Sequence, residues 1–165
     1  ISANLYLYEN NYPRLFYTNK IKHLKHDDIY KQMLLDDYDP VNIVYLSEKI
    51  DELVFDNINR SVELIKWSPN KIEFKTTTAK NQFLIMSEIF YPNDWELYMD
   101  NRKHEIYEVN TLIRGIEVPK GNHHFIMEFD SKNISRGLYI SRFGLCIIIV
   151  ILLLNIYIKR KNESL

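Results

Sequence analysis

Five histidines, a short acidic run, a Ser-Glu pair and one cysteine are the residues whose types could do chemistry in this sequence. A zinc site needs ligands converging from spaced positions, such as two histidines on one helical face. His23 and His26 are three apart but precede the helix expected from Asp27 or Asp28. His123 and His124 are adjacent in an expected strand, where neighbouring side chains point to opposite faces. Together with His104 they read as solvated surface histidines, and no metal is expected. Asp36-Asp37-Tyr38-Asp39 has the acidity of half a calcium loop, but the glycine and distal glutamate of an EF-hand are missing, so it reads as a helix terminator. Ser87-Glu88 has no flanking glycine elbow to make the serine a nucleophile. Glu88 is expected instead to pair with Arg114 across a sheet, as a structural ion pair or hydrogen bond. Cys146 lies in an apolar run, where a thiol behaves as a small hydrophobe. A single cysteine also excludes CxxC zinc sites, thioredoxin-like chemistry and any intrachain disulfide. The four glycines, Gly115, Gly121, Gly137 and Gly144, cannot spell a GxGxxG or Walker-type loop. No cofactor is expected from these residues.

Aromatic residues offer a different chemistry. Tyr91, Trp95, Tyr98 and Tyr107 lie in or beside one expected hairpin. Exposed aromatic faces stack on sugar rings, and they also rest at membrane interfaces. The same four side chains could simply fill a β-sandwich core, which is the favoured reading; glycan contact stays open beside it. Three Asn-x-Ser sequons, at Asn59, Asn133 and Asn162, arise readily by chance in an Asn-rich chain.

The elements that must position these residues divide the chain unequally. Its 165 residues allow one ordinary domain plus an appendage. From Phe143 to Ile158 the sequence FGLCIIIVILLLNIYI carries no charge. Counted from Gly137 the apolar stretch has 22 residues, about 33 Å of helix, which spans a hydrocarbon core of about 30 Å. Arg142 sits near its outer end, where its stem can snorkel, Tyr139 and Tyr157 lie near the two interfaces, and Lys159, Arg160 and Lys161 close it. Residues 137–165 carry a net charge of +3 and the preceding 136 residues −4. The Lys-Arg-Lys cluster should face the cytoplasm by the positive-inside rule, with the preceding body outside. The overall charge of −1 gives no general footprint for nucleic acid. A first residue of Ile1, with no charged-then-apolar leader, suggests a fragment or processed product.

Within the body the hydrophobic period changes once. Residues 1–60 read as a mixed α/β segment, with strands at Arg14–Thr18 and Val41–Leu46. A helix between them is capped by Asp27 or Asp28 and runs to Leu35, its apolar side formed by Ile29 and Met33. Residues 47–60 read as a connector. From Val62 onward the period is two. Lys71–Lys75 alternates, Phe83–Phe90 is apolar on both parities like a central strand, and Trp95, Leu97 and Met99 form one row. Asp100-Asn101-Arg102 reads as a turn from which His104–Val109 returns. Leu112, Arg114, Ile116 and Val118 form another row, Pro119–Asn122 a turn, and Phe125, Met127 and Phe129 a last strand. Six or seven short strands without an intervening helix indicate an antiparallel β-sandwich over residues 61–135. The expected fold is therefore mainly β with minor α. A small α/β segment precedes the sandwich, a transmembrane helix over 136–158 follows it, and a basic tail over 159–165 ends the chain.

The order of motifs carries a resemblance. Ser68-Pro69-Asn70-Lys71-Ile72-Glu73 is followed by Leu84-Ile85-Met86-Ser87-Glu88-Ile89-Phe90-Tyr91-Pro92-Asn93-Asp94-Trp95, then Tyr98-Met99-Asp100, Ile106-Tyr107, Leu112-Ile113-Arg114-Gly115 and Val118-Pro119-Lys120-Gly121-Asn122-His123. With the terminal apolar helix, this series resembles the C-terminal region of YfhO-type bacterial membrane proteins. Tyr8-Glu9-Asn10, Pro13-Arg14-Leu15-Phe16 and Asp37-Tyr38-Asp39-Pro40 resemble that family's pre-sandwich segment. The family commonly has Tyr-Pro-Gly-Trp where this chain has the one-residue-longer Tyr91-Pro92-Asn93-Asp94-Trp95. The resemblance implies a polytopic parent related to membrane glycosyltransferases that use lipid-linked sugars and act on cell-envelope polymers such as lipoteichoic acid. Its catalytic acids would lie in an N-terminal membrane region. This chain would then be a non-catalytic, membrane-anchored extracytoplasmic sandwich. Its expected partners are the bilayer, the parent's own membrane region and a lipid-linked sugar or envelope glycan. The competing expectation is a purely structural domain that packs on that region or on an envelope partner.

Overall fold

The computed structural model describes residues 11–35, 37–50, 53, 55, 58–91, 94–130 and 132–163. Asp36, the Pro92-Asn93 step of the Tyr-Pro turn and the Tyr8–Asn10 motif lie outside the described residues. In chain order the elements are β1 (Leu15–Tyr17), β2 (Ile21–His23), α1 (His26–Met33), β3 (Val44–Leu46), β4 (Arg60–Ser68), β5 (Lys71–Thr78) and β6 (Gln82–Ile89). They continue as β7 (Trp95–Met99), β8 (Arg102–His104), β9 (Tyr107–Val109), β10 (Ile113–Val118), β11 (Gly121–Phe129) and α2 (Lys132–Glu163). Ile1–Phe129 forms one compact unit and Asp130–Leu165 a second.

The first unit is an antiparallel sandwich with a third layer on one side. Its sheets run β1-β6-β10-β9 and β4-β5-β11-β7-β8, and β2 pairs with β3 in a small parallel ribbon. Alternation explains the five-stranded sheet. Ile72, Phe74, Leu97, Phe125 and Met127 point inward and pack on Leu84, Met86, Ile116 and Val118 of the facing sheet. The double-parity apolar run of β6 has an equally direct cause. Its other face, Phe83 and Ile85, is buried against Phe16, Val109, Val44 and Leu46, so the four-stranded sheet is covered on both sides. Phe83 lies over Gly115 so closely that a Cβ there would come within 2.3 Å of the Phe83 ring and 2.5 Å of a Val109 methyl.

Four features depart from the sequence-based expectations. First, residues 1–60 do not end where the sandwich begins, because β1 is a strand of the four-stranded sheet and pairs with β6. Second, β2 and its parallel pairing with β3 had no visible period. Third, α1 begins two or three residues earlier than capping by Asp27 or Asp28 would place it. Lys25 is its N-cap and makes no side-chain cap bond, while Asp27 and Asp28 occupy the first turn, where carboxylates complement the helix dipole. Fourth, His104–Val109 is not one returning strand: β8 stays beside β7, whereas β9 pairs with β10 in the other sheet. The chain thus changes sheets across Glu105-Ile106, and His104 ties the crossing by a 2.8 Å bond from Nε2 to the Glu117 carbonyl.

Turns with positive φ pin the ends of strands. Asp100 and Asn101 take φ of 49° and 68° between β7 and β8, the left-handed conformation that short polar side chains tolerate. Asn110 also has positive φ, and its buried side chain accepts the Tyr45 N–H at 2.9 Å and donates to the Tyr38 hydroxyl, so the β9–β10 turn holds the third layer. The second unit is the helix α2, in which Arg136–Asn155 is long and apolar enough to cross a membrane. The side chains of Tyr157, Arg160 and Lys161 lie outside those described; Arg142 and Lys159 are exposed.

Two consequences are measurable. Gly115→Ala forces the Phe83 ring to move and should destabilise the sandwich by about 1–3 kcal/mol in urea unfolding. A neutral result would contradict the close approach. The Asp100 carboxylate accepts from His123 Nδ1 at 2.7 Å and from the His124 N–H at 2.9 Å. These bonds, that from His123 foremost, hold its carboxyl below the usual carboxylate range. A depressed folded-state value means stabilisation that is complete above the unfolded value near 3.8 and lost as pH falls through the lower folded one. Asp100→Asn, which still tolerates the left-handed turn, should lower the urea midpoint at neutral pH. The gap from the parent should close in strong acid, and a gap independent of pH would locate the effect elsewhere.

Candidate functional site

One end of the sandwich is organised by a charged residue in an apolar row. Arg114 shares its inward face with Ile116 and Val118 and is only 4% exposed. An irregularity in the β6–β10 pairing makes room for it. Ile113 pairs with Ile89 but Arg114 with Met86, so Ser87 and Glu88 are extra residues on β6. Arg114 Nε donates to the Ile89 carbonyl at 2.8 Å, within its own sheet. Its guanidinium then crosses to the facing sheet, where Nη1 approaches Met127 Sδ at 3.0 Å and the plane lies 4.4 Å from the centre of the Trp95 ring. Burial lowers the Arg114 pKa and the Glu88 charge opposes that shift. Glu88 itself is bridged by Arg14, which precedes β1, so the Glu88–Arg114 relation is one of charge across the bulge and not of the direct contact expected from sequence.

Around this guanidinium opens a cleft of about 270 Å³, lined by Phe90, Tyr91, Trp95, Glu96, Lys103, His104, Glu105, Ile106 and Arg114. Small-molecule clefts typically begin at about this size. Tyr91 is half exposed at 53% and forms an aromatic wall. Trp95 is partly buried, steadied by Arg114 on its face and by Phe129 edge-on at 5.5 Å. The polar lining is preorganised. Glu96 accepts from the Tyr98 hydroxyl at 2.6 Å and from Lys103 Nζ at 3.3 Å, and Glu105 accepts from the Tyr107 hydroxyl at 3.1 Å. The result is aromatic planes beside carboxylates, an imidazole and a guanidinium, groups able to stack on a ring and to exchange hydrogen bonds with its hydroxyls.

Of the four aromatics singled out by sequence, the structure brings two together in this cleft, Tyr91 and Trp95. Tyr98 is on β7 beside Trp95 but on the other parity, facing away from the core, and it bonds Glu96 of the cleft lining. Tyr107 lies in the other sheet and tilts against Phe83 at 5.9 Å. Its phenol pKa is raised, first by burial and then by Glu117 and Glu105. Sequence reasoning missed Phe90, Glu96, Lys103, His104, Glu105 and Ile106 as site residues. The one available signal was Arg114, a charge inside an inward-facing row. His23 and His26 are exposed, whereas His104, His123 and His124, expected as solvated surface groups, are half-buried and partnered: His124 bonds Glu73 at 2.9 Å, His123 bonds Asp100 and His104 bonds the Glu117 carbonyl. Among the described residues no group of three or more His, Cys, Asp or Glu side chains converges as a metal site.

Comparison with known proteins places the chain in a family. The family model described as bacterial membrane protein YfhO matches residues 43–141, which include the bulge, the cleft and the start of α2. A curated relative from Bacillus subtilis (strain 168), described as uncharacterized protein YfhO, is 25% identical over 130 residues. Those residues are 77% of this chain and 14% of the relative, so the chain spans about a seventh of that protein's length. No solved structure matches it. With more than half of its length covered by the family model, this chain belongs to the YfhO family of bacterial membrane proteins.

Proposed function

We propose that the β-sandwich is a non-catalytic accessory domain of a YfhO-type membrane protein, held on the extracytoplasmic side by α2, and that it orients an envelope glycan for a glycosyltransferase-like parent. The observation that carries this reading is the cleft beside Arg114. Tyr91 and Trp95 give it ring-sized aromatic faces, Glu96 and Glu105 give it acceptors and Lys103 gives it a donor. Carbohydrate binding uses this combination, because one face of a pyranose is apolar while its edge carries hydroxyls. The arrangement favours binding over bond cleavage. A hydrolase or transferase site would set a nucleophile or paired acids around a reacting atom, whereas Glu96 and Glu105 are each committed to a tyrosine hydroxyl.

Sidedness follows from charge. Lys159, Arg160 and Lys161 after the apolar helix favour a cytoplasmic C-terminus, which leaves the sandwich outside. The donor would be a lipid-linked sugar handled by the parent's membrane region, with that region and the bilayer as the domain's neighbours. In the full-length family protein, Tyr91→Ala combined with Trp95→Ala should reduce sugar transfer about tenfold, as expected when two stacking contacts of about 0.5–1.5 kcal/mol each are removed. The thermal transition of the sandwich should survive, and Tyr30→Ala on the exposed face of α1 should leave transfer unchanged. Full transfer by the double variant would leave the domain a structural role only.

A further inference from the structure

The sandwich end from which the chain leaves β11 carries a second feature, separate from the cleft lining. Trp67, Ile89 and Leu112 are large apolar side chains exposed at 49%, 66% and 54%. Strand register places all three at that end. Trp67 pairs with Ile72 one step before the β4–β5 turn, Ile89 ends β6 opposite Ile113, and the Leu112 carbonyl accepts the Phe90 N–H at 2.7 Å. The last residue of β11, Phe129, donates its N–H to Asn70 in the same turn, at 2.9 Å. At the opposite end the turns carry Lys80, Asn81 and Lys120, with Ile58 exposed near them.

We propose that this end is a membrane-contact surface, with Trp67, Ile89 and Leu112 seated in the lipid headgroup layer. Chain length supplies the occupant. Between Phe129 and the first residue of the apolar span, Arg136, seven peptide steps reach at most about 25 Å even when fully extended. The end of β11 is therefore tethered within a short distance of the bilayer once α2 crosses it. Residue chemistry agrees with that position. Tryptophan prefers the interface, and Trp67 is half exposed there with the Arg14 guanidinium 4.4 Å from its ring centre. Charge is not the driving term, because Arg14 is bridged by Glu88 and Lys71 by Glu128. Binding rests on apolar insertion and needs no anionic lipid. The inference depends on α2 spanning the membrane and not on any glycan contact.

The test uses the full chain with Trp95→Phe, leaving Trp67 as its one tryptophan, reconstituted in phosphatidylcholine vesicles whose lipids are brominated near the top of the acyl chain or near its end. Trp67 emission should fall about twofold with the shallow label and much less with the deep one, as for an interfacial tryptophan. Addition of phosphatidylglycerol should change this little. Ile89→Asp with Leu112→Asp, both at exposed positions, should restore most of the emission in the same vesicles. Emission unaffected by either brominated lipid would overturn the proposal and point to a polypeptide covering this end. Quenching that appears only with phosphatidylglycerol would overturn the apolar-insertion mechanism. No sugar enters the measurement, so its failure is distinct from failure of the glycan reading.

Discussion

A guanidinium lodged between two sheets governs the end of this sandwich. Burying an arginine is costly unless its donors and its charge are compensated. Arg114 meets that demand from both layers, with the Ile89 carbonyl on its own sheet and the Trp95 ring on the other. The bulge in β6, the position of Trp95 and the openness of the cleft all follow from accommodating it. Two further arginines join the sheets in the same way. Arg14 lies over Trp67, and Arg60 lies 5.2 Å from the Tyr17 ring centre while donating to the Thr18 carbonyl at 2.9 Å and to Gln82 at 3.1 Å. Arginine suits this role because its planar cation stacks on aromatics while its edges donate hydrogen bonds. The apolar interior holds the sheets face to face, and these clasps fix how their rims meet.

The third layer explains why the four-stranded sheet can be apolar on both faces without becoming an aggregation hazard. β3 contributes Val44 and Leu46 and β2 contributes Ile21 to its covering, and the Asn110 amide ties that layer to the β9–β10 turn by accepting the Tyr45 N–H and donating to the Tyr38 hydroxyl. The edge strand β4 is less protected. Its residues are mostly exposed and its register shifts between Leu64 and Lys66. A bulge and edge charges such as Glu63 and Lys66 are familiar ways of discouraging strand addition.

What was legible in the sequence was what local periodicity encodes. Alternation in Lys71–Lys75 and Trp95–Met99, and its absence in Phe83–Phe90, read out one-sided and two-sided burial before any fold was known. An uncharged run closed by three cations identified α2 in the same way. The parallel pairing of β2 with β3 was not legible, because three-residue strands such as Ile21-Lys22-His23 carry no period and gain their partners from tertiary packing. The change of sheets at Glu105-Ile106 was also hidden, since a corner leaves the alternation on either side intact. The candidate site fared similarly. Proximity in sequence grouped four aromatics, but strand parity turns Tyr98 away and the sheet change carries Tyr107 off, while Phe90 and His104 arrive from opposite sheets. An arginine in an inward row was the one local sign that this end was unlike the rest of the core.

The account stands on the cleft beside Arg114 being a glycan site, and the most direct measurement reports on Trp95 itself. With isotope-labelled indole nitrogens in the full chain held in lipid nanodiscs, the two tryptophan resonances can be followed as lipoteichoic-acid glycan fragments are added. The account predicts that the Trp95 resonance moves with saturation while that of Trp67 stays in place. A Trp95 resonance that remains fixed at saturating glycan, or moves only in step with Trp67, would contradict it.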